Sequence, residues 1–198
     1  MQKMLPVQAM LIPDNAKNVF RGIIFDVYQW PQVMFDGSTK VFEMLKRSDT
    51  VQIIVVRDTQ LLLVKDEQPS RPIQVHFPGG RVDAEDASWL EAAQRELREE
   101  TGLVCRTWRL LDVQQPLAKM EWFTPIFLAT DIIEEHSQKL DTGGERITME
   151  WKDFDTVRTA VLDGKAQMMQ YLVPFFNRTR SCGELMDRRA FAGTEAER

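Results

Sequence analysis

The stretch Phe77-Pro78-Gly79-Gly80, followed from Ser88 by Ser88-Trp89-Leu90-Glu91-Ala92-Ala93-Gln94-Arg95-Glu96-Leu97-Arg98-Glu99-Glu100-Thr101-Gly102-Leu103, decides how the rest of the chain is read. Ser88 with Glu91 three residues on makes a capping box, in which each side chain satisfies a backbone N–H that a helix start leaves without a partner. Leu90, Ala93 and Leu97 then fall on one helical face, and Gly102 supplies a left-handed stop. The spacing predicts a helix from about Trp89 to Thr101. On it Glu96 and Glu100 lie one above the other, with Glu99 beside them, at the margin of the apolar stripe.

Like charges at this spacing destabilise a helix by about a few tenths of a kcal/mol per pair, so the cluster calls for cations. A Glu-rich helix is most often a solvated face, but hard divalent ions such as Mg²⁺ also match it, keeping waters and substrate phosphates as their other ligands. Arg95, one turn before Glu99, is placed to hold that carboxylate in one rotamer. Upstream, Pro78-Gly79-Gly80 offers a backbone that can approach a metal or phosphate closely, because glycine has no Cβ. Loop and helix are expected to form two walls of one site.

Before this stretch the chain reads as strands. Phe20 to Trp30 and Val33 to Phe35 are rich in β-branched and aromatic residues, the turn signal Asp36-Gly37 follows, and Lys40 to Leu45 resumes the pattern. That is a hairpin or a three-stranded meander. Val51 to Val56 and Leu61 to Val64, separated by Arg57-Asp58-Thr59-Gln60, read as a second hairpin buried on both faces. Lys65 to Ile73, with Pro69 and Pro72, reads as a polar loop before a short strand at Gln74 to Phe77.

After the helix, strands are expected at Val104 to Leu111, Trp122 to Ala129 and Glu145 to Trp151. Asp155 opens a helix to Leu162 with Gly164 as its stop, and Ala166 to Asn177 reads as another, bent or started by Pro174. The fold class is therefore α+β, a mixed sheet with a central helix and late helices packed on its faces. Residues 1–48 are expected as an N-terminal β extension, 49–180 as the main domain and 181–198 as a loose tail.

Composition narrows the function classes. The 198 residues are 43% hydrophobic and 28% charged, an ordinary globular balance. Acidic residues outnumber basic ones by 30 to 25, and no stretch concentrates Lys and Arg as a phosphate-tracking surface would, which argues against nucleic acid as partner. No segment approaches the roughly 20 apolar residues that cross a bilayer. Cys105 and Cys182 show no metal spacing and read as reduced thiols, so a cytoplasmic protein, neither secreted nor membrane-inserted, is expected.

Taken together, Phe77 to Gly80 and Arg95 to Leu103 resemble the signature of the Nudix hydrolase family. That signature is a glycine, five residues, a Glu, seven residues, then R-E-(apolar)-x-E-E-x-G-(apolar). Its second half stands complete from Arg95 to Leu103, but eight residues separate Asp86 from Arg95, one more than the pattern has. Glu85 or Asp86 must stand in for the first Glu. The resemblance implies an α/β/α sandwich and attack of water on a nucleoside diphosphate linked to a second moiety. It also implies Mg²⁺ or Mn²⁺ held by Glu96, Glu99 and Glu100 with a carbonyl of Gly79 or Gly80, and Arg95 orienting Glu99.

Outside the signature, Val51 to Gln68 and Gly143-Gly144-Glu145-Arg146-Ile147 are similar to the ADP-ribose and nucleotide-sugar diphosphatase branch. The branch implies Glu145 as a further ligand, an N-terminal extension that builds a homodimer, and an acid where this chain has Gly143. Glu99, or the cation alone, is left to activate water. Tyr28 and Trp30 are candidate stacking faces for a base, with Phe35 and Trp122, although aromatic residues in strands are more often core. Arg71 and Gly80 complete the substrate candidates. A catalytically idle nucleotide-sugar sensor is the alternative class, and coenzyme A, dinucleoside polyphosphates or capped RNA are alternative substrates.

Overall fold

A computed structural model describes residues 4–69, 71–140 and 146–195. After the two-residue strand β1 (Met4–Leu5), the N-terminal meander consists of β2 (Lys17–Arg21), β3 (Asp26–Val33) and β4 (Thr39–Lys46), all antiparallel. The β3–β4 turn is closed by the Met34 N–H to the Ser38 carbonyl, with Gly37 at φ +78°. What reads in sequence as one run from Phe20 to Trp30 is two strands, because Gly22 to Phe25 form a turn closed by the Gly22 N–H on the Phe25 carbonyl.

The central sheet begins with β5 (Gln52–Arg57) and β6 (Gln60–Gln68), joined at Asp58-Thr59 with Asp58 at φ +58°. Strand β7 (Arg71–His76) pairs with β6. The expected polar loop at Lys65 to Ile73 is thus mostly strand. Asp66 pairs across to Gln74 in register, and its carboxylate takes a hydrogen bond from Gln68 at 3.3 Å.

Helix α1 runs Trp89–Thr101. Ser88 Oγ accepts the Glu91 N–H at 3.1 Å, while the Glu91 carboxylate reaches one residue further back than a simple capping box, to the Ala87 N–H at 2.7 Å. Gly102 ends the helix at φ +74°. Leu90 is half-exposed; Trp89, Ala92, Ala93 and Leu97 form the buried face. Trp89 takes the place expected of Leu90 because its indole N–H donates to Asp49 at 3.0 Å.

Strands β8 (Leu103–Gln114), β9 (Met120–Glu121), β10 (Thr124–Glu135) and β11 (Arg146–Asp153) follow. The central order is β11-β6-β5-β10-β8 with β7 on β6; β5 and β10 are parallel and the other pairs antiparallel, so the sheet is mixed. β9 joins the meander as the parallel neighbour of β4. Helix α2 (Phe154–Leu162), a 3₁₀ segment (Gln167–Leu172), α3 (Val173–Asn177) and α4 (Cys182–Asp187) close the chain, with β12 (Thr194–Glu195) paired to β1. Pro174 sits in the first turn of α3 after a change of helix type, as the reading at Ala166 to Asn177 allows.

Alternation along the central strands produces the layers. Ile54, Val56, Leu61 and Leu63 pack with Phe154, Phe175 and Phe176 of the late helices. Val51, Ile53, Val55 and Leu62 pack with Trp89, Ala93 and Leu97 of α1. Burying each large side chain contributes about 1.5–3 kcal/mol, which is why both faces of the sheet must carry helices. The result is the expected α/β/α sandwich. The expected loose tail is instead attached: Leu185 of α4 is fully buried and the Phe191 N–H donates to the Leu110 carbonyl. Among the described residues no helix is long and apolar enough to cross a membrane.

Candidate metal centre and substrate cleft

The glycine turn between β7 and α1 is pinned to β5. The Ile53 N–H donates to the Pro78 carbonyl and the Val51 N–H to the Gly80 carbonyl, each at 2.8 Å. Gly79 has φ +148°, and a Cβ there would lie 2.1 Å from the Val51 carbonyl oxygen. Its N–H donates to Glu100 Oε2 at 2.9 Å. At Gly80 a Cβ would fall 2.6 Å from the Glu96 carboxylate. Gly79 is required by the Val51 carbonyl packed against it, and Gly80 leaves the space that the Glu96 carboxylate occupies.

Arg95 organises the helix side. Its Nε and Nη2 donate to the two oxygens of Asp86 at 3.0 and 2.8 Å, Nη2 also reaches the Arg81 carbonyl at 2.9 Å, and Nη1 donates to Glu96 at 2.9 Å and Glu99 at 3.0 Å. The guanidinium hydrogen bond holds Asp86 below the usual carboxylate range, and Asp86 in turn stabilises the charged guanidinium. Of the two acids that the inserted residue leaves as candidates, it is the buried Asp86 that takes the arginine, while Glu85 is exposed.

Glu100 is buried, Glu96 nearly so, and Glu99 opens to solvent. Burial pushes the Glu96 carboxyl up to about 7, against the pull of Arg95 and with added repulsion from Glu99. A carboxylate so desolvated gains from a nearby cation. Among the described residues no three His, Cys, Asp or Glu side chains are drawn together as a ready metal cage. The convergence read from helical spacing is replaced by separate engagement: Arg95 lies against Glu96 and Glu99, and Glu100 is turned to the Gly79 N–H. The donor chemistry and the cradle left by Gly80 nevertheless suit a hard divalent cation, with Glu96, Glu99, Glu100 and a carbonyl of the glycine turn as the residues to hold it.

These groups line a cleft of about 610 Å³, whose other walls include Ile23, Ile24, Arg47, Ser48, Arg81 and Lys139. Gly79 and Gly80 also line this cleft. Trp30 does not: it is buried beside Ile12 and Met44 in the small core of the N-terminal sheet, with Tyr28 packed against it. Facing strands bury such rings because that sheet has its own apolar face to cover. Trp122 has an Arg47 guanidinium over its ring. Glu145 and Gly143 lie outside the described residues, as does the side chain of Arg71, whose backbone starts β7. Glu150 is held by Lys65 at 3.2 Å and Lys152 at 2.6 Å on β11.

Arg47, Arg81 and Lys139 escaped the sequence reading. None belongs to a motif, and Arg47 comes to the cleft because the residues just after it, Asp49 to Val51, pair with Gly80 to Val82. His76 is a strand-end residue whose Nδ1 lies 2.8 Å from the Phe77 carbonyl.

Comparison with known proteins follows the same lines. The family model described as NUDIX domain matches residues 46–172. Two curated relatives are called uncharacterized Nudix hydrolase NudL. The one from Enterobacter sp. (strain 638) is 39% identical over 87 residues, 41% of this chain and 45% of the relative. The one from Yersinia enterocolitica serotype O:8 / biotype 1B is 32% identical over 99 residues, 48% of this chain and 51% of the relative. The matches span about half the length of these curated relatives. Among solved structures, an ADP compounds hydrolase superposes with a TM-score of 0.63 at 20% identity, covering 83% of this chain and 92% of that one. A NUDIX hydrolase from Nitrosomonas europaea gives 0.52 at 23% identity, covering 72% and 91%. At these identities the superpositions speak for the fold. With the domain match extending over most of the chain and Arg95, Glu96, Glu99 and Glu100 lining its cleft, the protein belongs to the Nudix hydrolase family.

Proposed function

We propose that the protein hydrolyses the diphosphate bond of ADP-ribose or a related nucleoside diphosphate sugar, giving a nucleoside monophosphate and a sugar phosphate, with Mg²⁺ or Mn²⁺ as cofactor. The observation that supports this most is the carboxylate wall of Glu96, Glu99 and Glu100 set against the Gly79-Gly80 turn. A divalent cation bound there would neutralise the diphosphate and make water a better nucleophile.

The chain's own residues supply position and charge. Glu96, Glu99 and Glu100 hold the cation, with a turn carbonyl beside them. Arg95 fixes the rotamers of Glu96 and Glu99 while Asp86 fixes Arg95, so the carboxylates are set before substrate arrives. Phosphoryl transfer asks a protein for little else than this positioning and electrostatic stabilisation. In this reading Glu99, the exposed member, takes a proton from the attacking water, and Glu145 is a further ligand. The same reading counts Arg71 among the substrate contacts.

A homodimer in the cytoplasm is part of the same reading. The N-terminal sheet leaves Phe20, Val33 and Val41 largely exposed, apolar surface that a second copy would cover. Sedimentation equilibrium tests this directly, and a monomer at high micromolar concentration rejects it.

The experiment is a panel of ADP-ribose, nucleotide sugars, coenzyme A, dinucleoside polyphosphates and capped RNA, assayed with Mg²⁺ and with Mn²⁺. Metal-dependent release of AMP from ADP-ribose is the expected result. Binding without hydrolysis throughout the panel would overturn it in favour of the sensor reading.

A further inference from the structure

Glu99 and Glu100 sit in the last turn of α1, the part of a helix least suited to carboxylates. The final carbonyls there have no donor within the helix, and the helix dipole is negative at that end. The turn is closed all the same. The Gly102 N–H donates to the Arg98 carbonyl at 2.9 Å, and Thr101 Oγ1 to the Leu97 carbonyl at 2.5 Å. The other donors come from the segment that follows β10. The Lys139 N–H donates to the Glu99 carbonyl at 2.9 Å and the His136 N–H to the Gly102 carbonyl at 2.8 Å. Between them, 38 residues along the chain from Glu100, the Gln138 side chain donates from Nε2 to the Glu100 carbonyl. The same nitrogen donates to the Ile147 carbonyl of β11 at 3.2 Å. A Cβ on Gly102 would collide with the His136 carbonyl, so the glycine that ends the helix also admits the segment that caps it.

A glutamine amide nitrogen carries two hydrogens, and in Gln138 they join two elements that are distant in sequence. Ile147 is buried and pairs with Asp66 of β6, so the helix end is tied to the central sheet. Glu100 is thereby held at two points, its carbonyl by Gln138 and its carboxylate by the Gly79 N–H. Without Gln138 the Glu100 carbonyl loses this donor, and a helix end short of donors frays. A carboxylate on a frayed turn has to be ordered again when a cation arrives, and that entropy weakens cation binding.

We infer that Gln138 is a positioning residue of the metal centre, setting Glu99 and Glu100 by pinning the carbonyl end of α1 to β11. It acts through the helix backbone. The inference rests on the divalent-cation reading above and adds to it a residue outside both the helix and the glycine turn. Order in the last turn and affinity for the cation should therefore change together.

The test follows Mn²⁺ binding by electron paramagnetic resonance and amide hydrogen exchange along α1 in the wild type, Gln138→Met and Gln138→His. Methionine keeps the length and removes both donors, whereas histidine returns one donor on a neutral ring. Gln138→Met should weaken Mn²⁺ binding by about tenfold or more, the size of effect seen when a metal ligand loses its support. Exchange at Thr101 and Gly102 should quicken by about tenfold or more while Ala92 and Ala93 stay within about twofold, as local opening requires. Gln138→His should recover part of both losses. Turnover of ADP-ribose by Gln138→Met should need more Mg²⁺, with kcat at saturating Mg²⁺ within about threefold of wild type. Unchanged Mn²⁺ affinity in Gln138→Met overturns the inference, and so does equal acceleration of exchange along the whole of α1, which would make Gln138 a support of the fold alone. A wild type that takes up no Mn²⁺ removes the metal centre and this inference with it, whereas Mn²⁺ uptake that is the same in wild type and Gln138→Met removes the inference alone.

Discussion

Asp86 receives Arg95 Nε on one carboxylate oxygen at 3.0 Å and Arg95 Nη2 on the other at 2.8 Å, a two-point clamp between residues nine apart in the chain. Asp86 also accepts the Asp83 N–H at 2.9 Å, so the same carboxylate fixes the loop that carries the inserted residue. The insertion is absorbed without loss of the arginine's partner.

Asp86→Asn should therefore destabilise the protein by about 1.5–3 kcal/mol at neutral pH, the range for a hydrogen bond to a charged group. The sign of its pH dependence follows from the lowered ionisation of Asp86. The stabilisation is fully present above the unfolded carboxyl value, about 4, and fades as pH falls through the lower folded value. Urea unfolding at pH 7 should separate the variant from the wild type, and the gap should close below about pH 4. Glu85→Gln, at an exposed position, should leave stability unchanged at both ends. Equal stability of Asp86→Asn and wild type at pH 7 would mean that the clamp contributes nothing.

Glu100→Gln tests the cation-holding role with little risk to the fold. The Gly79 N–H needs only an acceptor, and the glutamine amide oxygen can provide one in place of Glu100 Oε2. Charge is removed and the hydrogen bond is kept. Metal-dependent turnover should fall by about a hundredfold or more, equivalent to about 3 kcal/mol of transition-state stabilisation, with the unfolding midpoint within a few degrees of wild type. Activity at the wild-type level would remove Glu100 from the set of ligands.

What the sequence discloses about this fold is what local chemistry dictates. The bounds of α1 follow from Ser88 and Gly102, and the β5–β6 hairpin from two apolar runs around Asp58, because caps and turns act within a few residues. The polar β6–β7 hairpin is not legible because its residues lack the apolar alternation of a half-buried strand and are held by backbone pairing between β6 and β7. The same limit applies to the site. Arg95 to Glu100 carry their own spacing, whereas Arg47 reaches the cleft because Asp49, Thr50 and Val51 pair with Val82, Arg81 and Gly80, contacts some thirty residues apart that no local signal announces. Trp30 misled as a stacking face because a ring in a strand looks alike from the sequence whether it faces a ligand or its own small core.

Leu185 is fully buried in the late-helix core although Glu184 and Asp187 beside it are charged. Leu185→Ala should cost about 2–5 kcal/mol, as for other large-to-small changes in a closed core, and thermal unfolding reads the loss. A change below about 0.5 kcal/mol would restore the expectation of a loose tail beyond residue 181.

Gly79 and Gly80 are neighbours with different burdens, and alanine at each should separate them. At Gly79 the backbone is held at φ +148° and a Cβ would collide with the backbone carbonyl of buried Val51, which cannot rotate away, so Gly79→Ala should destabilise by about 1–3 kcal/mol or more. At Gly80 the Cβ would instead meet the end of the Glu96 side chain, which can rotate away. The fold should survive Gly80→Ala, with an unfolding midpoint near wild type. Displacing Glu96 from the turn should raise the Mg²⁺ concentration for half-maximal activity by about tenfold or more, as for other changes that disorient a metal ligand. If Gly80→Ala needed no more Mg²⁺ than the wild type, Glu96 would hold its place without the cradle, and the closeness of turn and helix would serve packing alone.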